Sequence, residues 1–187
     1  MKKKLPLVIY FSFLIIYLEL VYKVFVLNNV FSINSLTIIL FSIPFIMFNT
    51  ILCSLFSEKV NRGISIILSL FLTFIFVSQY VYYLFYDSIF SVYSVKEGTG
   101  QVFGEFFNAI VKMVSDNVLS IILLLIPFIL FLIFGKKIFS FNKGKKSLVI
   151  ESISLLVFII VSFITVMFND KGMYSLKNVY TKTHAPM

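Results

Sequence analysis

The chain is a succession of long apolar runs separated by short polar segments. Apolar runs cover about residues 5–27, 33–56, 64–85, 118–134 and 148–168. A helix that crosses a bilayer needs about 20 predominantly apolar residues, and each run approaches or exceeds that length. The pattern therefore predicts an all-α, polytopic membrane protein with five transmembrane helices. Pro44 and Pro127 fall inside the second and fourth runs. Each removes one backbone hydrogen bond and is expected to bend its helix, which membrane helices tolerate.

One polar stretch breaks the pattern differently. Within residues 101–116, Val102, Phe103, Phe106, Phe107, Ile110, Val111 and Val114 recur at helical spacing. Glu105, Asn108, Lys112, Ser115 and Asp116 take the other face. This predicts an amphipathic helix too polar to span, lying at the membrane interface with its apolar face down. Phe103, Phe106, Phe107 and Ile110 are the candidate lipid contacts. Such a helix either caps the bundle or forms a lipid-contacting element beside an outer-leaflet site.

Composition agrees with the pattern. Of 187 residues, 60% are hydrophobic and 13% charged. A soluble domain has about 45–50% apolar and about 25% charged residues. A soluble globular fold and a disordered chain are both disfavoured on these figures. The basic excess, a formal net charge of +8, is placed between apolar runs and reads as a topology signal. Fifteen of the sixteen basic residues are Lys, with Arg62 the exception. Arg is the better reader of bases and phosphates, so nucleic acid is not an expected partner.

The distribution of those charges gives an orientation. Lys2, Lys3 and Lys4 precede the first run, Lys59 and Arg62 follow the second, and five lysines lie in the segment 135–147 after the fourth. The positive-inside rule puts these three segments in the cytoplasm. Five crossings then place the C-terminus outside, in a plasma membrane. The first run is too long for a signal peptide and lacks a small-residue cleavage site, so it is expected to be retained.

Catalytic motifs are missing from the sequence. It contains no HExxH, P-loop, GxSxG or complete GxGxxG. Its one histidine, His184, lies in the polar tail 169–187, and its one cysteine, Cys53, reads as a small buried hydrophobe. No cofactor is expected in this chain. The intramembrane charges are more informative. Glu19 and Lys23 are four residues apart on one helix face and can pair, and Lys23 can also snorkel outward. The pair is either structural or the polar lining of a site for a lipid headgroup. Gln79, Tyr80, Tyr82, Tyr83, Tyr86 and Asp87, near the outer end of the third run, can join the same region or form an interfacial belt.

In several particulars the chain resembles the N-terminal membrane region of lipoteichoic acid synthase-like phosphoglycerol transferases, members of the sulfatase superfamily. The resemblance is carried by Tyr17-Leu18-Glu19-Leu20-Val21-Tyr22-Lys23, by the five-span arrangement, and by the Tyr-rich end of the third run. Gly100-Gln101-Val102-Phe103 and the tail segment Tyr174-Ser175-Leu176-Lys177-Asn178-Val179-Tyr180 also fit. The resemblance implies that the tail leads into an extracellular catalytic domain with a threonine nucleophile and a divalent metal, usually manganese. That domain transfers glycerol phosphate from phosphatidylglycerol, in a bacterium with a lipoteichoic-acid-type envelope. No residue here matches its nucleophile or metal ligands. The chain is expected to be a membrane anchor truncated before that domain. The alternative is a complete small membrane protein, such as a transporter subunit or an assembly partner.

Overall fold

A computed structural model of the chain describes residues 4–27, 34–86, 105–141 and 144–168. The fold is all-α. Helices α1 (Leu7–Leu27), α2 (Asn34–Leu52), α3 (Glu58–Tyr86), α4 (Glu105–Asp116), α5 (Val118–Ile138) and α6 (Lys145–Phe168) follow in chain order. Two-residue strands β1 (Leu5–Pro6) and β2 (Phe139–Ser140) pair in parallel, Leu5 opposite Phe139 and Pro6 opposite Ser140. Among the described residues four helices are long and apolar enough to cross a membrane: α1, α3, α5 and α6. A shorter apolar stretch, Ile39–Leu52, makes up most of α2. Helix α4 is the amphipathic element.

Helix α1 is the hub, packing against α2, α3 and α5. Its buried residues Leu7, Tyr10, Phe11, Leu14, Ile15, Leu18, Tyr22 and Val26 recur every three or four positions, as one face of a helix requires. Ile9, Phe13, Leu20 and Val24 are equally apolar and lie exposed on its other sides. Helix α3 packs chiefly on α5, and α6 packs on α2 with most of its apolar surface exposed. Exposed apolar surface of this kind suits a hydrocarbon surround.

Several boundaries differ from the expected ones. Residues 58–63, expected as a polar turn, form the start of α3. The Ser57 carbonyl accepts the Asn61 N–H at 2.8 Å, and Glu58 sits in the first turn, where a carboxylate favours the helix dipole. Helix α5 continues past Phe134 to Ile138, with Lys136 and Lys137 in its last turn, where cations are favoured. Helix α6 begins at Lys145, so Glu151 lies in its second turn. Pro44 and Pro127 both sit inside continuous helices.

Near the end of α5, Gly135 is required by a close approach. A Cβ there would stand 2.9 Å from Phe131 Cδ2 and 3.0 Å from Cε2. The Phe131 ring has little room to yield. It stacks on Tyr10 with centroids 3.8 Å apart and rings 13° from parallel, and it also meets Phe139 and Phe141. Alanine improves helix propensity by about 1 kcal/mol over glycine. Overpacking typically costs about 1–3 kcal/mol. Gly135→Ala is therefore expected to lower the unfolding midpoint in detergent, and an unchanged or raised midpoint would show that the ring stack is loose.

Candidate functional site

The structure gathers polar side chains in three places: one at each end of the bundle, and one along the inner face of α3.

At the first end, Asn61 is fully buried, at 0% exposure. Its Oδ1 accepts the Phe56 N–H at 2.9 Å, and its Nδ2 donates to the carbonyls of Phe56 and Phe141, each at 2.8 Å. One amide thus closes the α2–α3 connection and ties it to the chain leaving β2. The β1–β2 pair brings the start of α1 to the same place, and Lys4 Nζ lies 3.9 Å from Glu58 Oε1. The start of α1, the start of α3 and the end of α5 therefore share one end. Lys4, Lys59, Arg62, Lys136 and Lys137 belong to it.

From Asn61 a stripe of small polar residues climbs α3. Ser65, Ser69 and Thr73 are each fully buried. Each hydroxyl donates to the carbonyl four residues earlier, at 2.7, 2.6 and 2.9 Å respectively. These groups are satisfied within their own helix, so the stripe stays narrow and lets neighbouring chain approach closely. Tyr10 of α1 lies near Ser69, with its hydroxyl buried and not hydrogen-bonded among the described residues, and buried Cys53 lies near Ser65. Asn49 and Thr50 on α2, and Ser54 just past its end, bond back to Phe45, Ile46 and Thr50 in the same manner. Sequence reasoning passed over these residues. The signal was present in the four-residue spacing of Asn61, Ser65, Ser69 and Thr73.

The opposite end is joined by Asn117, between α4 and α5. Its Nδ2 donates to the Met113 carbonyl at 3.0 Å, and its Oδ1 accepts the Tyr80 hydroxyl at 3.3 Å. Tyr80, one of the expected tyrosine cluster, thus fixes the junction of the amphipathic helix to α3. Tyr82 and Tyr86 make ring contact at 4.6 Å. Deeper in the bundle, the Tyr17 hydroxyl donates to the Leu123 carbonyl at 3.0 Å.

The charged pair lies toward this second end of α1. Lys23 is about 6 Å, and Glu19 about 12 Å, short of the helix terminus at 1.5 Å per residue. Lys23 is only 4% exposed, so its ammonium is held inside and does not snorkel. Glu19 is half-buried, and the two charges act on one another. Tyr22 lies between them in sequence, with its ring edge-on to Phe76 at 6.1 Å. Glu19, Tyr22 and Tyr83 form one electrostatic neighbourhood.

Of the expected lipid contacts, Ile110 is half-buried on α4. Phe106 and Phe107 belong to that helix, and Phe103 lies outside the described residues, as do Asp87 and the tail. Helix α4 begins at Glu105, against an expected start near residue 101. Among the described residues no group of three or more His, Cys, Asp or Glu side chains is placed to hold a metal ion.

No protein-family model matches the chain, and neither a curated protein nor a solved structure matches it. The class that fold and site define is an all-α bundle of membrane-spanning type.

Proposed function

We propose that the chain is the membrane-anchoring domain of a lipoteichoic acid synthase-like phosphoglycerol transferase. It holds that enzyme at the outer leaflet of a bacterial plasma membrane, with phosphatidylglycerol as the lipid substrate. The observation that carries this reading is the gathering of basic connections at the Asn61 end, by the β1–β2 pair, the Lys4–Glu58 contact and the Asn61–Phe141 bond. The positive-inside rule turns that end toward the cytoplasm. Helix α6 starts there and has 24 residues, about 36 Å of helix, which is long enough to cross to the outer side. Tethering at that surface raises the enzyme's effective concentration against its lipid substrate. Helix α4 and the Glu19/Lys23 pair belong to the same outer half and shape the docking surface. The threonine nucleophile and the manganese site belong to the extracellular domain in cis, beyond this chain.

The test starts from the coding sequence beyond Met187. The reading requires several hundred further residues with a threonine and a metal-ligand cluster. Membranes carrying that full-length product should release diacylglycerol from phosphatidylglycerol. Replacing Phe103, Phe106 and Phe107 together by Ser should lower that activity several-fold, because it removes about three aromatic anchors from the interface. A stop codon after Met187 would sink the reading in favour of a complete small membrane protein.

A further inference from the structure

The connection between α2 and α3 has the character of a membrane boundary. Leu55 and Phe56 stand 53% and 58% exposed on non-helical chain, and Val60 is exposed in the first turn of α3. Apolar side chains held open on a turn are unfavourable in water and favourable against acyl chains. The turn is held in that form, because Asn61 grips Phe56 by both its N–H and its C=O. Interleaved with the apolar residues are Lys59, exposed, and Arg62, half-buried.

The second grip of Asn61, on Phe141, brings the end of α5 alongside. That end adds exposed Lys136, Lys137 and Ile138. Lys4 is occupied with Glu58. Among the described residues, Lys59, Arg62, Lys136 and Lys137 have no carboxylate within ion-pair distance. Four uncommitted cations around exposed apolar side chains match the phosphate and the acyl boundary of an anionic phospholipid.

We propose that this end of the bundle binds anionic phospholipid headgroups of the leaflet in which it sits. Leu55 and Phe56 enter the acyl boundary, and Lys59, Arg62, Lys136 and Lys137 surround the phosphate. The site lies at the opposite end from α4 and does not depend on the anchoring reading.

The chain has no tryptophan, so Phe56→Trp places a single fluorophore at the site. The full chain carrying it is reconstituted into bilayers containing brominated phosphatidylglycerol or brominated phosphatidylcholine at equal mole fraction. Phosphatidylglycerol is expected to be preferred about five-fold or more at low salt, with the preference falling as salt is added. Adding K59Q, R62Q, K136Q and K137Q together should bring the two lipids close to parity. A Leu119→Trp reporter, 74% exposed at the start of α5 on the opposite end, should show no preference. Leu55→Trp serves as an independent reporter should Phe56→Trp fail to fold. Equal quenching by the two lipids at both site reporters overturns the proposal. So does a preference that survives the four neutralisations, or an equal preference at position 119. If inorganic phosphate abolishes the preference where chloride of the same ionic strength does not, the site takes a free anion and the lipid assignment is overturned.

Discussion

Asn61→Ala is expected to destabilise the bundle by about 3 kcal/mol or more. The alanine removes three hydrogen bonds at once. It leaves an N–H and two carbonyls without their partner, and each such group, where buried, costs about 1–3 kcal/mol. The end of α5 also loses its tie to the α2–α3 connection, so the damage reaches the β1–β2 pair. Asn61→Asp is the sharper control. It keeps an acceptor for the Phe56 N–H but loses both donated bonds. Its second oxygen then faces the carbonyls of Phe56 and Phe141, so it should be at least as damaging as alanine. Thermal unfolding in detergent, followed by circular dichroism, measures both variants. Stabilities within about 0.5 kcal/mol of the parent, the range of ordinary surface changes, would show that the amide does not join these segments.

The second large effect concerns the intramembrane pair. Lys23 is the more deeply buried partner, so the worst single change removes the charge that balances it. Glu19→Gln should cost about 1–3 kcal/mol, because it takes away the charge that acts on buried Lys23. Lys23→Met should cost less, because Glu19 left without its counter-charge can take up a proton and become neutral. The double variant Glu19→Gln/Lys23→Met should be more stable than the two losses added together predict. A coupling of about 0.5–3 kcal/mol is expected for two charges that act on one another directly. Strict additivity would mean that the two charges are held by other groups. This cycle also separates the two sequence readings of the pair. A structural pair tolerates joint neutralisation, whereas a headgroup lining loses lipid binding in the double variant despite recovered stability.

The sequence carried the helices more clearly than their packing. Runs of apolar residues located α1, α2, α3, α5 and α6 to within a few residues, and the spacing of Phe106, Phe107 and Ile110 located α4. Facing was not legible, because in a membrane helix the core side and the lipid side are equally apolar. Phe11 is fully buried and Phe13 is 53% exposed, and nothing in their chemistry distinguishes them. The helix ends were misjudged where charged residues are helical, as at Glu58 and at Lys136. There the dipole and the tertiary ties extend the helix beyond the apolar run. The β1–β2 pair is two residues on each side, far apart in the chain, and leaves no periodic trace. Of the site, Glu19 and Lys23 stood out because charges are rare in the spans. Asn61 and Asn117 did not, since an isolated asparagine looks the same in a loop as at a buried joint. The depth of Lys23 was also hidden. The chain is long enough to snorkel, and only the packing around α1 holds its ammonium inside.

The most direct test of the account is the sidedness of the two ends. Ser175→Cys marks the tail and Lys59→Cys marks the basic end, each as one added thiol. Cys53 is fully buried and contributes little background to labelling. With a membrane-impermeant maleimide on intact cells, the account predicts labelling at position 175 and protection at position 59 until the membrane is permeabilised. Labelling of position 59 from outside, or protection of position 175, would contradict it.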